Sequence, residues 1–289
     1  MPGPALTRAA ASGATAALLV AVLLAAGRPT PLAQMVAALS ILAMAGHAVL
    51  AIGWVEAALF AAICLAVTIA LENIGIATAW LFGDYEFVVG RDLPRLGLVP
   101  LIVGPLYFGM GYPAWTIAGT LLGNSGARPA DWRHLIGQPV VAAFAMVQWD
   151  AVMDPSNSTL AGAWLWHRGG GFFGVPLSNF LGWYLTTYAF FQLFALVLYR
   201  RRGLPPHPTQ SRWFRAVPIL FYLAAGLSHV VPFLADGDRR LVDAAGHVWS
   251  AADLRETAMV VLLAGMLPIS VLALLRLFDR NAPVGRDAR

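Results

Sequence analysis

The chain has 289 residues, of which 59% are apolar and only 12% are charged, and its mean hydropathy is +0.69. Soluble domains carry about 25% charged residues, so this composition excludes an ordinary soluble protein and indicates a membrane protein. The net charge of +4 comes from arginine alone, because the chain has no lysine. These arginines fall in short loops between apolar runs, which argues against a nucleic-acid partner. The single cysteine, Cys64, excludes an internal disulfide and a thiolate metal cage.

Eight apolar runs are long enough to cross the roughly 30 Å of hydrocarbon in a bilayer. They lie near Ala10–Gly27, Leu32–Ile52, Trp54–Leu81, Leu98–Leu122, Gly137–Met153, Phe173–Tyr199, Phe214–Leu234 and Leu254–Phe278. A hinge is expected between Gly46 and Trp54, because Leu32 to Phe82 is too long for one span. The first run also fits a signal peptide with Arg8 as its basic region, although a retained helix is preferred. The sequence predicts an all-α, polytopic transmembrane helical bundle of about eight spans (seven if the first is cleaved), with residues 1–289 as a single integral membrane domain.

Charge asymmetry between the loops predicts the orientation in the membrane. The loop after the sixth run contains five arginines and no acid: Arg200, Arg201, Arg202, Arg212 and Arg215. The positive-inside rule places this loop in the cytoplasm, and the arginine-rich C-terminal tail falls on the same side. The opposite loops carry most of the acids, among them Asp84, Glu86, Asp92, Asp236, Asp238, Asp243 and Asp253. The prediction is a multi-pass protein of the inner (cytoplasmic) membrane with a cytoplasmic C-terminus.

Several polar residues interrupt the apolar runs at a similar depth. A helical rise of about 1.5 Å per residue puts Glu72 about 27 Å, Asp150 about 20 Å and His229 about 22 Å from the cytoplasmic side of their runs. Asn179 enters the sixth run from the opposite side. Ionisable residues inside a membrane are costly and usually face a bundle interior or a cavity. A shared site towards the outer face is therefore predicted, although His229 also fits a hydrogen-bonded core histidine.

The stretch from Gln148 to Trp183 contains the densest set of polar and indole side chains. Asp150 and Asp154 are four residues apart, and such residues are neighbours on a helix face. Pro155 disfavours a helical conformation at Asp154, so Asp154 also fits a turn at a helix end. Trp164 and Trp166 suit either a site or the interfacial aromatic belt.

A run of three glycines, Gly169-Gly170-Gly171, follows these tryptophans. It lacks the lysine and the Ser/Thr of a phosphate-binding loop, so a tight turn leading back into the membrane is the preferred interpretation. His47 and His167 have no partner at metal-ligand spacing. No metal and no cofactor are predicted.

Acids in an apolar site favour proton-transfer chemistry, because desolvation disfavours the charged form of a carboxyl group. A protonated acid can protonate an alkene, and the resulting cation is stabilised by the faces of Trp or Tyr rings. Water oriented by a carboxylate or by Asn179 would then complete a hydration. This scheme requires no metal, nucleotide or redox cofactor.

Five motifs resemble the carotenoid biosynthesis protein family, most clearly between Glu72 and Trp183. They are E-x-x-G…F-G-x-Y (Glu72, Gly75, Phe82, Gly83, Tyr85), G-L-V-P (Gly97 to Pro100), D-x-x-M-D-P (Asp150 to Pro155), W-x-W (Trp164, Trp166) and F-G-V-P-L-x-N-F-x-G-W (Phe173 to Trp183). The family includes carotenoid 1,2-hydratases and bisanhydrobacterioruberin hydratases. The resemblance implies addition of water to the terminal 1,2 double bond of an acyclic carotenoid end, as in lycopene or gamma-carotene, to give a tertiary 1-hydroxyl.

Under this hypothesis Asp150 or Asp154 is the general acid, and Glu72 orients or deprotonates water. The residues expected to bind the end group are Tyr85, Trp149, Trp164, Trp166, Asn179, Trp183 and His229. The expected partners are an acyclic or monocyclic carotenoid, the lipid bilayer and other carotenoid-biosynthesis enzymes.

Two other function classes remain open at this point. A magnesium-dependent membrane prenyltransferase also uses aspartates four apart, but it needs two such motifs with basic partners, and this chain has one. A transporter or a non-enzymatic carotenoid-binding scaffold would bind pigment without changing its mass. Paired broken helices would support transport, and the sequence shows no internal repeat.

Overall fold

A computed structural model describes residues 4–25, 27, 30–124, 131–201 and 210–279, and within these ranges the chain is mostly helical. The helices are α1 (Pro4–Ala25), α2 (Pro31–Ile52), α3 (Trp54–Thr78), α4 (Val103–Leu122), α5 (Gln138–Pro155), α6 (Leu177–Arg200), α7 (Arg212–Leu227), α8 (Val230–Ala235), α9 (Ala251–Val261) and α10 (Leu267–Phe278). Three π-helical turns extend α5 at both ends and join α9 to α10: Arg133–Gly137, Ser156–Leu160 and Leu262–Met266.

Six short strands form three antiparallel pairs in the connections between helices. They are β1 (Tyr85–Phe87), β2 (Arg95–Leu96), β3 (Val99–Pro100), β4 (Trp164–Trp166), β5 (Arg240–Val242) and β6 (Val248–Ser250). Strand β1 pairs with β4, β2 with β3, and β5 with β6. The first pair joins two connections that are far apart in sequence, so it ties the end of α3 to the end of α5.

Six helical segments of the described chain are long and apolar enough to cross a membrane: Pro31–Ile52, Trp54–Thr78, Arg133–Leu160, Leu177–Arg200, Arg212–Ala235 and Ala251–Phe278. They indicate a multi-pass membrane protein. The described part of the first run, Ala11–Ala25, is a shorter apolar helix. Helix α4 is not among the six, although the sequence predicted a span there.

Helix α4 differs because it lies inside the bundle. It packs against α2, α3, α5, α7 and α10, so its surface is shaped by neighbouring helices rather than by lipid. Close packing favours small residues: a Cβ atom on Gly109 would lie 2.8 Å from Ile41. The glycines, prolines and tyrosines of this helix lower its hydropathy, which explains why composition alone does not mark it as a span.

The expected hinge is confirmed, and three predicted boundaries are corrected. Helix α2 ends and α3 begins around Gly53, which has a φ of 92°. Helix α4 begins at Val103 rather than Leu98, because β3 precedes it. Helix α6 begins at Leu177 rather than Phe173, because Phe172 and Val175 exchange backbone hydrogen bonds in a tight turn. Helix α5 continues through Pro155 into the π-turn instead of ending at Met153.

The order of α3, α4, α5 and α6 determines which residues meet. Each of these helices packs against the next, and α3 also contacts α6. The C-terminal ends of α3 and α5 therefore lie beside the N-terminal ends of α4 and α6. The strand pair formed by β1 and β4 lies in the connections at this same end, which we call the site end.

Candidate active site

Two aspartates of α5 share one amide at the site end. The Asn179 side-chain Nδ2 lies 3.0 Å from Asp150 Oδ2 and 2.6 Å from Asp154 Oδ2, within hydrogen-bond distance of both. Asp150 is fully buried and Asp154 is 1% exposed. Because the helix continues through Pro155, Asp154 is helical and faces the same way as Asp150. The alternative interpretation of Asp154 as a turn residue is therefore wrong.

Glu72 of α3 is held by two phenols. The Tyr107 hydroxyl donates to Glu72 Oε1 at 2.7 Å, and the Tyr85 hydroxyl donates to Oε2. Burial and the adjacent Glu72 carboxylate raise the pKa of Tyr85 well above its ordinary value. Tyr85 therefore remains a hydrogen donor at any physiological pH, and both oxygens of Glu72 are satisfied by neutral donors.

The pair of β1 and β4 supplies one wall of the site. Tyr85 lies opposite Trp166, and Phe87 lies opposite Trp164. Side chains alternate across a strand, so these four rings share one face while Glu86, between two of them, faces away. The Trp164 indole N–H donates to Asp154 Oδ1 at 2.8 Å. The W-x-W motif thus places two indoles on one side and anchors one of them to an acid.

A stack of rings forms a second wall of the site. Tyr107 and Trp183 are nearly parallel, with ring centroids 4.2 Å apart, and Trp149 meets Trp183 edge-on at 5.7 Å. These contacts join α4, α5 and α6, so the ring faces are fixed by the packing of three helices.

The two walls enclose a cavity of about 90 Å³. It is lined by Glu72, Phe82, Tyr85, Phe87, Val89, Pro100, Ile102, Val103, Leu106, Tyr107, Trp149, Met153, Asp154, Trp164, Trp166, Asn179 and Trp183. The structure brings together Glu72, Asp154 and six of the seven residues expected to bind substrate. Asp150 lies behind Asp154 and does not line the cavity. His229 also does not line the cavity, because it lies between α7 and α8. The sequence estimate gave its distance along the run but not the direction in which its side chain points.

Sequence reasoning missed Tyr107, which contacts both Glu72 and Trp183. A phenol within the fourth apolar run was the available signal, because a buried tyrosine hydroxyl usually needs a partner. Phe82, Phe87 and Met153 were also missed. Phe82 and Met153 belong to motifs given above, which were the available signal, whereas nothing in the sequence distinguishes Phe87 from an ordinary core residue.

The acids of this site have no basic partner in the described part of the chain. No ion pair there involves Glu72, Asp150 or Asp154, and the residues lining the cavity include no arginine or histidine. Asp150 Oδ1 has no hydrogen-bond partner among the described residues, although it is buried. Within the same residues, no group of three or more Asp, Glu, His or Cys side chains is arranged to hold a metal ion.

The glycine run forms the turn that aims α6 at the acids, and its three members are not equivalent. A Cβ atom on Gly170 would lie 2.2 Å from the backbone nitrogen of Pro176, whereas one on Gly171 would meet nothing within 4 Å. Gly170→Ala is expected to destabilise the protein by about 1–3 kcal/mol through overpacking. Gly171→Ala is the matched control. Thermal unfolding in detergent checks this, and equal midpoints for the two variants would contradict the observed packing.

The hairpin of β5 and β6 supports this turn from outside. Phe173 packs on Trp249 with ring centroids 5.3 Å apart, and the Trp249 indole donates to Asp243 at 2.8 Å. Partial burial opposes ionisation of Asp243, but hydrogen bonds from Trp249 and His247 outweigh it and lower its pKa. The hairpin thus braces the turn through an ionised aspartate.

The part of the sequence that contains this site matches a known protein family. The family described as carotenoid biosynthesis protein matches residues 32–236, which include every residue lining the cavity. The bisanhydrobacterioruberin hydratase of Haloarcula japonica is 29% identical over 116 residues, covering 40% of this chain and 37% of that protein. The alignment thus spans little more than a third of that relative, and no solved structure matches the chain. The family match covers well over half of the sequence, and the chain belongs to the carotenoid biosynthesis protein family.

Proposed function

We propose that the protein hydrates the terminal 1,2 double bond of an acyclic carotenoid end group and produces a tertiary 1-hydroxyl. The observation that carries this proposal is the cavity, in which buried acids face a wall of aromatic rings and have no basic partner within the described part of the chain. The named relative is a hydratase, which supports the same class of reaction. Lycopene, gamma-carotene and similar acyclic-ended carotenoids are the proposed substrates.

The acid pair supplies the proton in this proposal. Asp150 and Asp154 share a single amide donor and have no cation beside them among the residues that the structure describes, and two like charges buried together are strongly disfavoured. The pair is therefore expected to hold a proton between them. Asp154 lines the cavity, so we assign it as the group that delivers this proton to carbon 2 of the alkene. Asp150, one helical turn away, replenishes it.

The rings stabilise the intermediate. Protonation of carbon 2 leaves a tertiary cation at carbon 1, and a cation is attracted to the face of an aromatic ring within about 6 Å. Trp183, Trp149, Tyr107 and the rings of the β1–β4 pair surround the cavity, so a cation formed there meets ring faces and few competing nucleophiles.

Glu72 completes the addition. Water attacks carbon 1, and its surplus proton passes to Glu72, whose carboxylate is oriented by Tyr85 and Tyr107. Return of that proton to the acid pair closes the cycle, so one alkene and one water give one alcohol. No redox partner or nucleotide is required by this balance.

The rival reactions fit the site less well. A prenyl diphosphate needs basic groups around it, whereas the residues lining the cavity include no arginine or histidine. A scaffold would not require buried acids beside the pigment. We also propose that the chain forms one membrane domain of eight spans. These are the six long apolar helices together with α4 and the first run. The site end faces away from the cytoplasm.

The test is co-expression of the chain with a lycopene pathway in a host that makes no other carotenoid. Extracted pigment is analysed by liquid chromatography and mass spectrometry. The expected result is a gain of one or two waters with the visible spectrum unchanged. Lycopene, gamma-carotene and an elongated acyclic precursor that all remain unaltered, with the protein present in the membrane, would refute the hydratase proposal.

A further inference from the structure

The motif G-L-V-P (Gly97 to Pro100) has no part in the chemistry above, yet it lies against the cavity. It forms the turn and second strand of the hairpin of β2 and β3. Asn73, the neighbour of Glu72 on α3, fixes this hairpin: its Nδ2 donates to Leu96 O at 3.0 Å, and its Oδ1 accepts from Leu98 N at 2.7 Å. The hairpin is therefore held in place beside the acids.

Only two of the residues lining the cavity are exposed, and they mark its opening. Val89 is 40% exposed and Ile102 is 39% exposed, whereas the polar lining residues Glu72, Asp154 and Asn179 are each at most 4% exposed. Val89 precedes the hairpin and Ile102 follows it. Val89 is anchored across to β4, because its backbone N–H donates to Ala163 O at 2.8 Å. The opening thus has an apolar rim, whereas the acids lie in the buried part of the cavity.

The surface beside this rim combines leucines with charged side chains, since Arg91, Asp92 and Arg95 are also exposed. Four leucines of the same segment are 46–59% exposed: Leu93, Leu96, Leu98 and Leu101. An opening edged by valine and isoleucine and flanked by exposed leucines suits contact with lipid tails, and the neighbouring arginines can extend their charged ends towards the headgroups.

The volume limits what can enter. A cavity of about 90 Å³ is several times the roughly 10–15 Å³ that holds one water, so a small group such as one terminal isoprenoid unit can enter it. A forty-carbon polyene is far larger, so the remainder of such a chain must lie outside. It can leave the cavity only past the exposed rim.

From these observations we propose that the cavity opens sideways into the bilayer between Val89 and Ile102, and that this mouth admits one acyclic end of an isoprenoid chain while the rest of the chain stays in the lipid. The occupant of the rim is the substrate's own hydrocarbon chain. The inference rests on the proposed function for the identity of the substrate. It makes Val89 and Ile102 specificity-determining residues, since a cyclised end group is broader than the end they admit.

The first test narrows the mouth. Ile102→Trp is expected to lower both pigment retained by the purified protein and hydrated product by at least tenfold. Leu96→Trp is the matched control, because Leu96 lies on the hairpin that directly precedes Ile102, is 59% exposed and does not line the cavity. Both variants are compared at equal amounts of monodisperse protein. Retention and product at wild-type levels in Ile102→Trp would overturn the proposal.

The second test locates the mouth without relying on turnover. Ile102→Cys and Leu96→Cys are spin-labelled in lipid vesicles; the native Cys64 is fully buried, and labelling of the parent chain gives the background. The label at 102 is expected to relax more with oxygen, which partitions into lipid, than with a water-soluble nickel chelate. Lycopene should immobilise the label at 102 and not at 96. Dominant relaxation by nickel at 102 would mean that the mouth faces water and would overturn the proposal.

The two proposals fail separately. Pigment retention that depends on Ile102, without any hydrated product, would support the mouth and refute the hydratase. Normal hydration that is insensitive to Ile102→Trp would support the hydratase and refute the mouth.

Discussion

Asp154→Asn is expected to lower the yield of hydrated carotenoid by about 10²–10⁴-fold, the usual contribution of a general acid. Asparagine keeps the size of the side chain and still accepts from Trp164, but it has no acidic proton to deliver to the alkene. The measurement is the rate of product formation from lycopene in membranes with equal amounts of the protein. Asp150→Asn should also abolish product, because the pair then loses the group that returns the proton to Asp154.

The control for these variants is Glu86→Gln. Glu86 lies on β1 between two rings of the cavity wall, but it faces away and pairs with Arg91 at 3.5 Å. Its neutralisation should leave the rate within about twofold of wild type, because an exposed ion pair contributes little. Full activity of Asp154→Asn, with product at the wild-type rate, would rule out Asp154 as the acid. Full activity of Asp150→Asn would show that Asp150 does not return the proton to Asp154.

Glu72→Gln has the second large expected effect, a loss of about 10²-fold or more in product formation, because the group that accepts the proton from water is gone. The pigment should still bind, since glutamine fills the same space. Absorbance of co-purified lycopene measures binding, and mass spectrometry measures turnover. Loss of both together would indicate a structural role for Glu72 instead.

The two phenols provide a graded version of this test. Tyr107→Phe removes one hydrogen bond to a carboxylate while keeping the ring stacked on Trp183, and a loss of about tenfold is expected. Tyr112→Phe is the matched control, because Tyr112 lies on the same helix and is equally buried. Its hydroxyl lies 2.9 Å from His47 Nδ1 and does not contact the cavity. Equal rates for the two variants would show that the Tyr107 hydroxyl does not orient Glu72 for the reaction.

Much of the site can be predicted from the sequence, because it depends on local backbone geometry. The rise of a helix fixes depth, so Glu72, Asp150 and Asn179 could be placed at one level before any contact was known. The four-residue spacing of the aspartates and the two-residue spacing of the tryptophans fix which side chains share a face. These periodicities hold as soon as the backbone is helical or extended, whatever surrounds it.

Direction around the helix axis is different, because the tertiary structure decides it. His229 has a suitable depth but lies at the junction of α7 and α8, away from the cavity. Tyr107 has no distinguishing motif, yet the packing of α4 against α3 and α6 turns it towards both Glu72 and Trp183. Helices that are apolar on most sides carry no amphipathic pattern from which such a rotation can be read.

By itself, the sequence determined that this is a multi-pass membrane protein of the carotenoid biosynthesis family, and it predicted Glu72 and Asp150 at a similar depth. It also predicted a hinge between Gly46 and Trp54, because the apolar stretch from Leu32 to Phe82 is too long for one span, and the structure places the break at Gly53, where a positive φ favours glycine. Only the tertiary structure decided that Asp154 faces the cavity while Asp150 stands behind it, that α4 is central, and that the cavity opens at Val89 and Ile102. These features arise from contacts between residues far apart in the chain, which no local pattern specifies.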